Sequence, residues 1–259
     1  MRTIGVIPAR MGSSRFPGKP LAPINGISML GHVYFRSRMS SLLDAVYIAT
    51  CDDEICRYAA DIGADCILTS PSHERASDRT AEAVDIIEAR SSSTIGIVVM
   101  IQADEPMIRP QMLDQALAPL RHEPDVQVVN LMAPLDAGRV ADPNEVKVVV
   151  DCRDNALYFS RAPLPWRKDS NASAMKQVCV IPFRRQFLAR FAALERTPLE
   201  AAESIDMLRA LEHGVSVRMV KTAYLTFSVD TPDDLALVAS LMCDDPLVSR
   251  YQAMRSSHT

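Results

Sequence analysis

Apolar residues in the first half of the chain fall in short runs, separated by polar, helix-periodic stretches. Thr3-Ile4-Gly5-Val6-Ile7-Pro8 is an apolar run closed by proline, the pattern of a buried strand. A polar segment containing Gly12, Pro17, Gly18 and Pro20 follows, too broken for a helix. The spacing predicts a helix from Ser28 to Met39, a buried strand over Ala45–Ala49, a helix near Asp53–Ile62 and a third strand at Asp65–Leu68. Ser77-Asp78-Arg79-Thr80 predicts a cap opening a helix to about Arg90. Ile95–Ile101 is the expected fourth strand, ending in Gln102-Ala103-Asp104-Glu105-Pro106. Strands alternating with helices in this way predict an α/β fold, a doubly wound, mainly parallel but mixed sheet in three α/β/α layers.

The second half is less regular. Val126–Leu131, Val146–Val150, Ala156–Ser160, Gln177–Ile181 and Val215–Val220 read as strands. Helices are expected around Arg185–Leu194, Glu200–Glu212 and Thr231–Leu241, and an irregular stretch runs from Pro163–Pro165 to Lys176. No repeat, low-complexity segment or hinge-like linker interrupts the pattern, so residues 1–259 are expected to form a single domain.

Composition narrows the class. Of 259 residues, 48% are hydrophobic and 23% charged, which excludes a disordered chain, a collagen-like repeat and a coiled coil. Lys+Arg 28 against Asp+Glu 32 leaves a net charge of −4 with no basic block, which argues against a nucleic-acid partner. Ile95–Ile101 is far too short to span a membrane, and MRTIGVIPAR becomes charged again too soon for a signal peptide. The six cysteines lack CxxC spacing, so free thiols in a reducing compartment are expected and the protein is expected to be cytoplasmic.

Candidate chemistry starts in the loop after the first strand, because ligands of doubly wound sheets sit at the carboxyl ends of strands. Pro8-Ala9-Arg10-Met11-Gly12-Ser13-Ser14-Arg15-Phe16-Pro17-Gly18-Lys19-Pro20 places three cations among small residues whose amides suit a phosphate. It matches neither GxxxxGK[ST] nor GxGxxG. Asp104, just beyond the fourth strand, and Asp230, before Thr231-Pro232, are the candidate acidic residues. Gln102 suits a base or substrate hydroxyl, while Lys147 and Arg161 suit anionic substrate groups.

Ile7 to Lys19 resembles the nucleotide-binding loop of cytidylyltransferases that activate sugar acids, above all the CMP-Kdo synthetases (3-deoxy-manno-octulosonate cytidylyltransferases). The likeness continues through Ile48-Ala49-Thr50, His73–Arg79, Gln102–Pro106, Pro143–Val150, Tyr158–Ala162 and Val229–Pro232. It implies a nucleotide-diphosphosugar-transferase-like fold, with 1–125 as the nucleotide-binding half and 126–259 as the acceptor-binding and dimerisation half. It also implies transfer of CMP from CTP to 3-deoxy-manno-octulosonate or a related small acid, in lipopolysaccharide biosynthesis and as a homodimer. By the same resemblance, Arg10, Arg15, Lys19, Asp104 and Asp230 would be catalytic, with Mg²⁺ on both aspartates. Pro8, Ala9, Gly12, Ser13, His73, Ser77, Asp78, Arg79 and Gln102 would hold the nucleotide beside Arg10 and Lys19. Gln102, Lys147, Arg161, Gln177, Ile181, Asp206 and Met207 would hold the acceptor.

The chain departs from the family in its acceptor half. Gln177 and Ile181 stand where the family strand H-x-G-I-Y has histidine and tyrosine, and Asp206-Met207 replaces a Glu-Gln pair. Ala103 replaces the glycine of GDEP, and Ala76 the glycine of H-x-x-G-T-[ED]-R. Loss of polar partners leaves open a different acid acceptor, and a non-catalytic nucleotide-binding homologue is the other class. Retention of both acids favours the enzyme.

Overall fold

The structure is a computed structural model that describes residues 1–12, 16–91, 94–166 and 174–256. The first half runs β1 (Arg2–Pro8), β2 (Pro23–Ile24), β3 (Ile27–Ser28), α1 (Met29–Arg38), β4 (Ala45–Thr50), α2 (Asp53–Asp61), β5 (Asp65–Leu68), α3 (Ala76–Arg90), β6 (Ile95–Ile101) and α4 (Pro110–His122). There follow β7 (Val129–Leu135), β8 (Lys147–Val150), β9 (Ala156–Ser160), β10 (Ala174–Val178), β11 (Val180–Arg184), α5 (Arg185–Ala193), α6 (Pro198–Glu203) and α7 (Met207–Glu212). β12 (Arg218–Lys221), α8 (Pro232–Leu241) and α9 (Pro246–Ser256) close the chain.

One five-stranded sheet has the order β11-β6-β1-β4-β5, parallel except where β11 joins β6. Side chains alternate across it, as strand geometry demands. Ile4, Val6, Val98 and Met100 face α3 and α5, while Ile7, Ile48, Val99 and Ile101 face α1, α2 and α4. Both faces are covered, which explains why these strands read as continuous apolar runs.

A second sheet, β12-β7-β10-β8-β9, is antiparallel except for the β12–β7 pair. A Val128–Phe183 bridge joins it to β11. The mainly parallel arrangement expected from the alternation therefore describes the first sheet, and the second is a mixed extension of it.

Several elements differ from their sequence pattern. The strand expected at Gln177–Ile181 is two strands, β10 and β11, separated at Cys179, and the helix expected at Glu200–Glu212 is two. Ser204 breaks that helix in the left-handed region at φ 56°. α4 and α9 had no counterpart in the pattern; Pro119 inside α4 masks its periodicity. α3 opens at Ala76, ahead of the Ser77–Thr80 cap.

Two expectations are corrected. Cys56 of α2 and Cys66 of β5 are joined as a disulfide, with Cα atoms 5.6 Å apart, whereas free thiols were expected. Gly63, at φ 68°, turns the chain from α2 back into β5 and brings the two together, a proximity that CxxC counting does not detect. Lys147 does not face a substrate. It is fully buried, and its ammonium donates to the carbonyl oxygens of Asp142, Glu145 and Arg161 at 2.9, 2.7 and 2.5 Å. Removing it would strand those acceptors, which costs about 1–3 kcal/mol for a buried group left unpaired. Lys147→Met is therefore expected to lower the unfolding free energy by about 2–4 kcal/mol in urea titration. An unchanged midpoint would contradict this structural role.

Candidate active site

The loop beyond β1 is tied down by backbone bonds. Ala9 N–H donates to Ala49 O at 2.9 Å, and Gly18 N–H to Met11 O at 3.1 Å. Met11 N–H donates to Asp52 Oδ2 at 2.8 Å, a role for Asp52 that sequence reading missed. Gly18 takes φ 74°, a left-handed conformation that favours glycine, and Lys19-Pro20-Leu21 form a single 3₁₀ turn. Together they set Lys19 back over the carboxyl end of the sheet.

There Lys19 Nζ lies 2.9 Å from Asp104 Oδ2 and 3.2 Å from Asp230 Oδ1. Two local features deliver the aspartates. Val229 N–H donates to Asp104 O at 2.9 Å, stapling the segment before α8 to the end of β6. Thr231 and Asp234 form the capping box of α8, so capping does not occupy the Asp230 carboxylate. Burial works against the Lys19 charge, yet the two carboxylates outweigh it and hold the ammonium above its ordinary value.

Two cavities meet at this cluster. The larger, of about 370 Å³, is lined by Pro8, Ala9, Arg10, Gly12 and Lys19 from the first loop, His73 and Arg79 from around the α3 entrance, and Gln102. The smaller, of about 150 Å³, is lined by Arg161, Gln177, Ile181 and Met207. Gln102, Asp104, Asp206 and Asp230 border both. The structure thus brings most of the expected residues to one place. Ser13 and Arg15 lie outside the described residues.

Two nucleotide-binding expectations are corrected. Ser77 is buried and donates to Asp206 Oδ2 at 2.7 Å, and Asp78 forms a 3.5 Å ion pair with Arg209. Both side chains act across the α3–α7 contact, and neither lines either cavity. Arg75, which sequence reasoning passed over, lines that cavity instead and donates to Ser204 Oγ at 2.9 Å. A cation next to a nucleotide loop was the signal available for it. Arg79 reaches Thr69 Oγ1 at 2.5 Å and His73 reaches Glu82 Oε2 at 2.5 Å, which shapes the 69–79 segment around the cavity.

Beside the smaller cavity, Glu203 accepts from Arg161 N–H at 2.8 Å, and its carbonyl takes Arg161 Nε at 2.8 Å. Burial pushes the Glu105 carboxyl up to about 8 and raises that of Asp206. Among the described residues no group of three or more His, Cys, Asp or Glu side chains forms a metal cage, and no helix is long and apolar enough to cross a membrane.

A cation-lined cavity on one side of two acids, with a second cavity on the other, is the arrangement a nucleotidyltransferase requires. The cytidylyltransferase family profile matches residues 4–219. The 3-deoxy-manno-octulosonate cytidylyltransferase of Pelobacter propionicus is 42% identical over 248 residues, covering 91% of this chain and 95% of its own. That of Geobacter sulfurreducens is 42% identical over 251 residues, covering 92% and 98%. A CMP:2-keto-3-deoxy-manno-octonic acid synthetase solved with CTP superposes with TM-score 0.85 at 36% identity, over 95% of this chain and 100% of that one. A 4-diphosphocytidyl-2C-methyl-D-erythritol synthase shares the fold at TM-score 0.64 and 13% identity. The chain belongs to the 3-deoxy-manno-octulosonate cytidylyltransferase, or CMP-Kdo synthetase, family.

Asp206 gives a pH signature. Burial raises its folded-state value above the ordinary 3.8, so the folded protein holds this proton more tightly than the unfolded chain. Its contribution is fully present below the unfolded value and is lost as pH rises through the folded one. Wild type should therefore lose stability relative to Asp206→Asn as pH rises from about 4. Parallel stability profiles for the two proteins would contradict this assignment.

Proposed function

We propose that the protein transfers CMP from CTP to 3-deoxy-manno-octulosonate or a close relative of that acid, releasing pyrophosphate. The observation that carries this reading is the pair Asp104 and Asp230, converging on one ammonium between two cavities. Family membership and the CTP named for the structural relative support the nucleotide. The acceptor's anomeric hydroxyl gives up its proton to solvent and attacks the α-phosphorus, the bond to the bridging oxygen breaks, and pyrophosphate leaves with its electron pair. In-line displacement asks mainly for positioning and charge neutralisation, so no covalent protein nucleophile is required. Arg10 and Lys19 face the phosphates, and the N-terminal turn of α3 adds amide dipoles beside Arg75. Arg161, oriented by Glu203, presents a cation to the acceptor carboxylate.

Magnesium belongs to the same proposal. Two carboxylates that already share one cation suit an ion that takes one or two protein carboxylates and completes its shell with phosphate oxygens and water. Asp104 and Asp230 would hold it, and it would supply charge neutralisation at the transferring phosphoryl group. The family resemblance also supports a homodimer, to which the exposed Leu157 of β9 and Trp166 could contribute contact surface. Light scattering that shows monomer alone would contradict that assembly.

With CTP, Mg²⁺ and 3-deoxy-manno-octulosonate, the protein is expected to release one pyrophosphate per CMP conjugate. Asp104→Asn is expected to lower kcat by about 10²–10³-fold while leaving thermal unfolding close to wild type, the scale for removing one preorganised electrostatic group. A rate within a fewfold of wild type would remove Asp104 from the reaction.

A further inference from the structure

The Cys56–Cys66 disulfide plays no part in the reaction proposed above. A chain of 259 residues buries enough surface to fold without a covalent staple. In a reducing compartment, the one expected from the sequence, disulfides are usually transient and catalytic or redox-sensing. Cys56 and Cys66 are both half-buried, which leaves the bond open to a small dithiol. The bridge also sits on a weakly held helix. Of the nine residues of α2 only Ile55 and Ala59 are buried, and helices this short are marginal without tertiary support. Asp52 occupies the N-cap position, yet its side chain gives α2 no cap bond and accepts from Met11 N–H at 2.8 Å instead. Cys56 is thus the covalent anchor of the end of α2 that carries Asp52, and it is tied to β5, at the edge of the first sheet.

Two short paths lead from this bridge to the larger cavity. In the first, Cys56 N–H donates to Asp52 O at 3.2 Å, and the Asp52 carboxylate holds Met11. Met11 lies between the cavity-lining Arg10 and Gly12, and its carbonyl accepts from Gly18 N–H, the residue before Lys19. In the second, β5 runs from Cys66 to Thr69, whose N–H donates to Thr50 O at 2.8 Å. Thr69 Oγ1 accepts from Arg79 at 2.5 Å, and Arg79 lines the same cavity. One covalent bond therefore braces both segments that close around the larger cavity.

We propose that Cys56 and Cys66 form a dithiol–disulfide exchange site whose oxidation state sets the affinity of the larger cavity for CTP. The inference rests on the nucleotide assignment made above. A thiolate of a dithiol reductant attacks one sulfur and breaks the S–S bond, and the reductant's second thiolate then resolves the mixed disulfide. Two electrons and two protons pass to the pair, which becomes two thiols, while the reductant becomes a disulfide. Without the bridge, the first turn of α2 and the edge strand sample more arrangements. The loop and the 69–79 segment must then be ordered when nucleotide binds, which lowers affinity.

The test measures CTP binding by titration calorimetry, with Mg²⁺ present, on protein oxidised with diamide and on protein reduced with dithiothreitol. Peptide mapping after thiol alkylation scores the bridge in each sample. The reduced protein is expected to bind CTP at least about fivefold more weakly than the oxidised one. The double substitution Cys56→Ser with Cys66→Ser should match the reduced protein and respond to neither reagent. Cys66→Ala alone gives the same reading if the double variant fails to fold. Equal affinity in the two states, tighter binding by the reduced protein, a redox response that persists in the variants, or a bridge that diamide does not form would each overturn the inference while leaving the proposed reaction standing. If CTP binds neither form, the nucleotide assignment falls and takes this inference with it.

Discussion

A single ammonium drawn between two carboxylates organises the centre of this molecule. Asp104 and Asp230 come from remote segments of the chain and would repel each other if left alone in a half-buried cleft. Lys19 offsets that repulsion, and the backbone bond from Val229 to Asp104 fixes the approach before any ligand arrives. The left-handed Gly18, the Pro20 turn and the capping box of α8 all contribute to the same placement. Because the acids border both cavities, whatever binds on one side is held within reach of whatever binds on the other.

The two cavities are built from different material. The larger is formed where parallel strands end, the position at which a doubly wound sheet offers loops and helix N-termini to anions. The smaller lies where the antiparallel β11 and the α6–α7 corner close over the end of β6. Its polar groups are held by buried partners, including Glu145 with Lys176 at 3.2 Å and Asp206 with Ser77 at 2.7 Å. Such pairs resist removal of one partner, since the other is left as an uncompensated buried charge. Acceptor chemistry is therefore shaped by residues that also hold the fold.

Legibility in the sequence followed the physics of each element. β1, β4 and β6 were readable because strands covered on both faces leave uninterrupted apolar runs. α4 was hidden by Pro119, and the break between α6 and α7 by a non-glycine residue at positive φ, Ser204. The cationic loop could be read as a phosphate site from its position alone. The partnership of Asp104 with Asp230 could not, because it depends on a backbone bond between remote segments; the family resemblance supplied it. Lys147 was misread because a lysine in a strand carries no local sign of whether carbonyls or solvent will receive it. Ser77 and Asp78 pair with Asp206 and Arg209, contacts between remote segments that no local pattern announces.

The account turns on whether the two aspartates hold a cation at the point where nucleotide and acceptor meet. A crystal structure with Mn²⁺ and a non-hydrolysable CTP analogue tests this directly through the anomalous signal of the metal. The expected result is a peak coordinated by Asp104, Asp230 and a phosphate oxygen, with the Lys19 ammonium moved onto the phosphates. A peak elsewhere, or a nucleotide bound with Lys19 still bridging both acids and no metal between them, would contradict it.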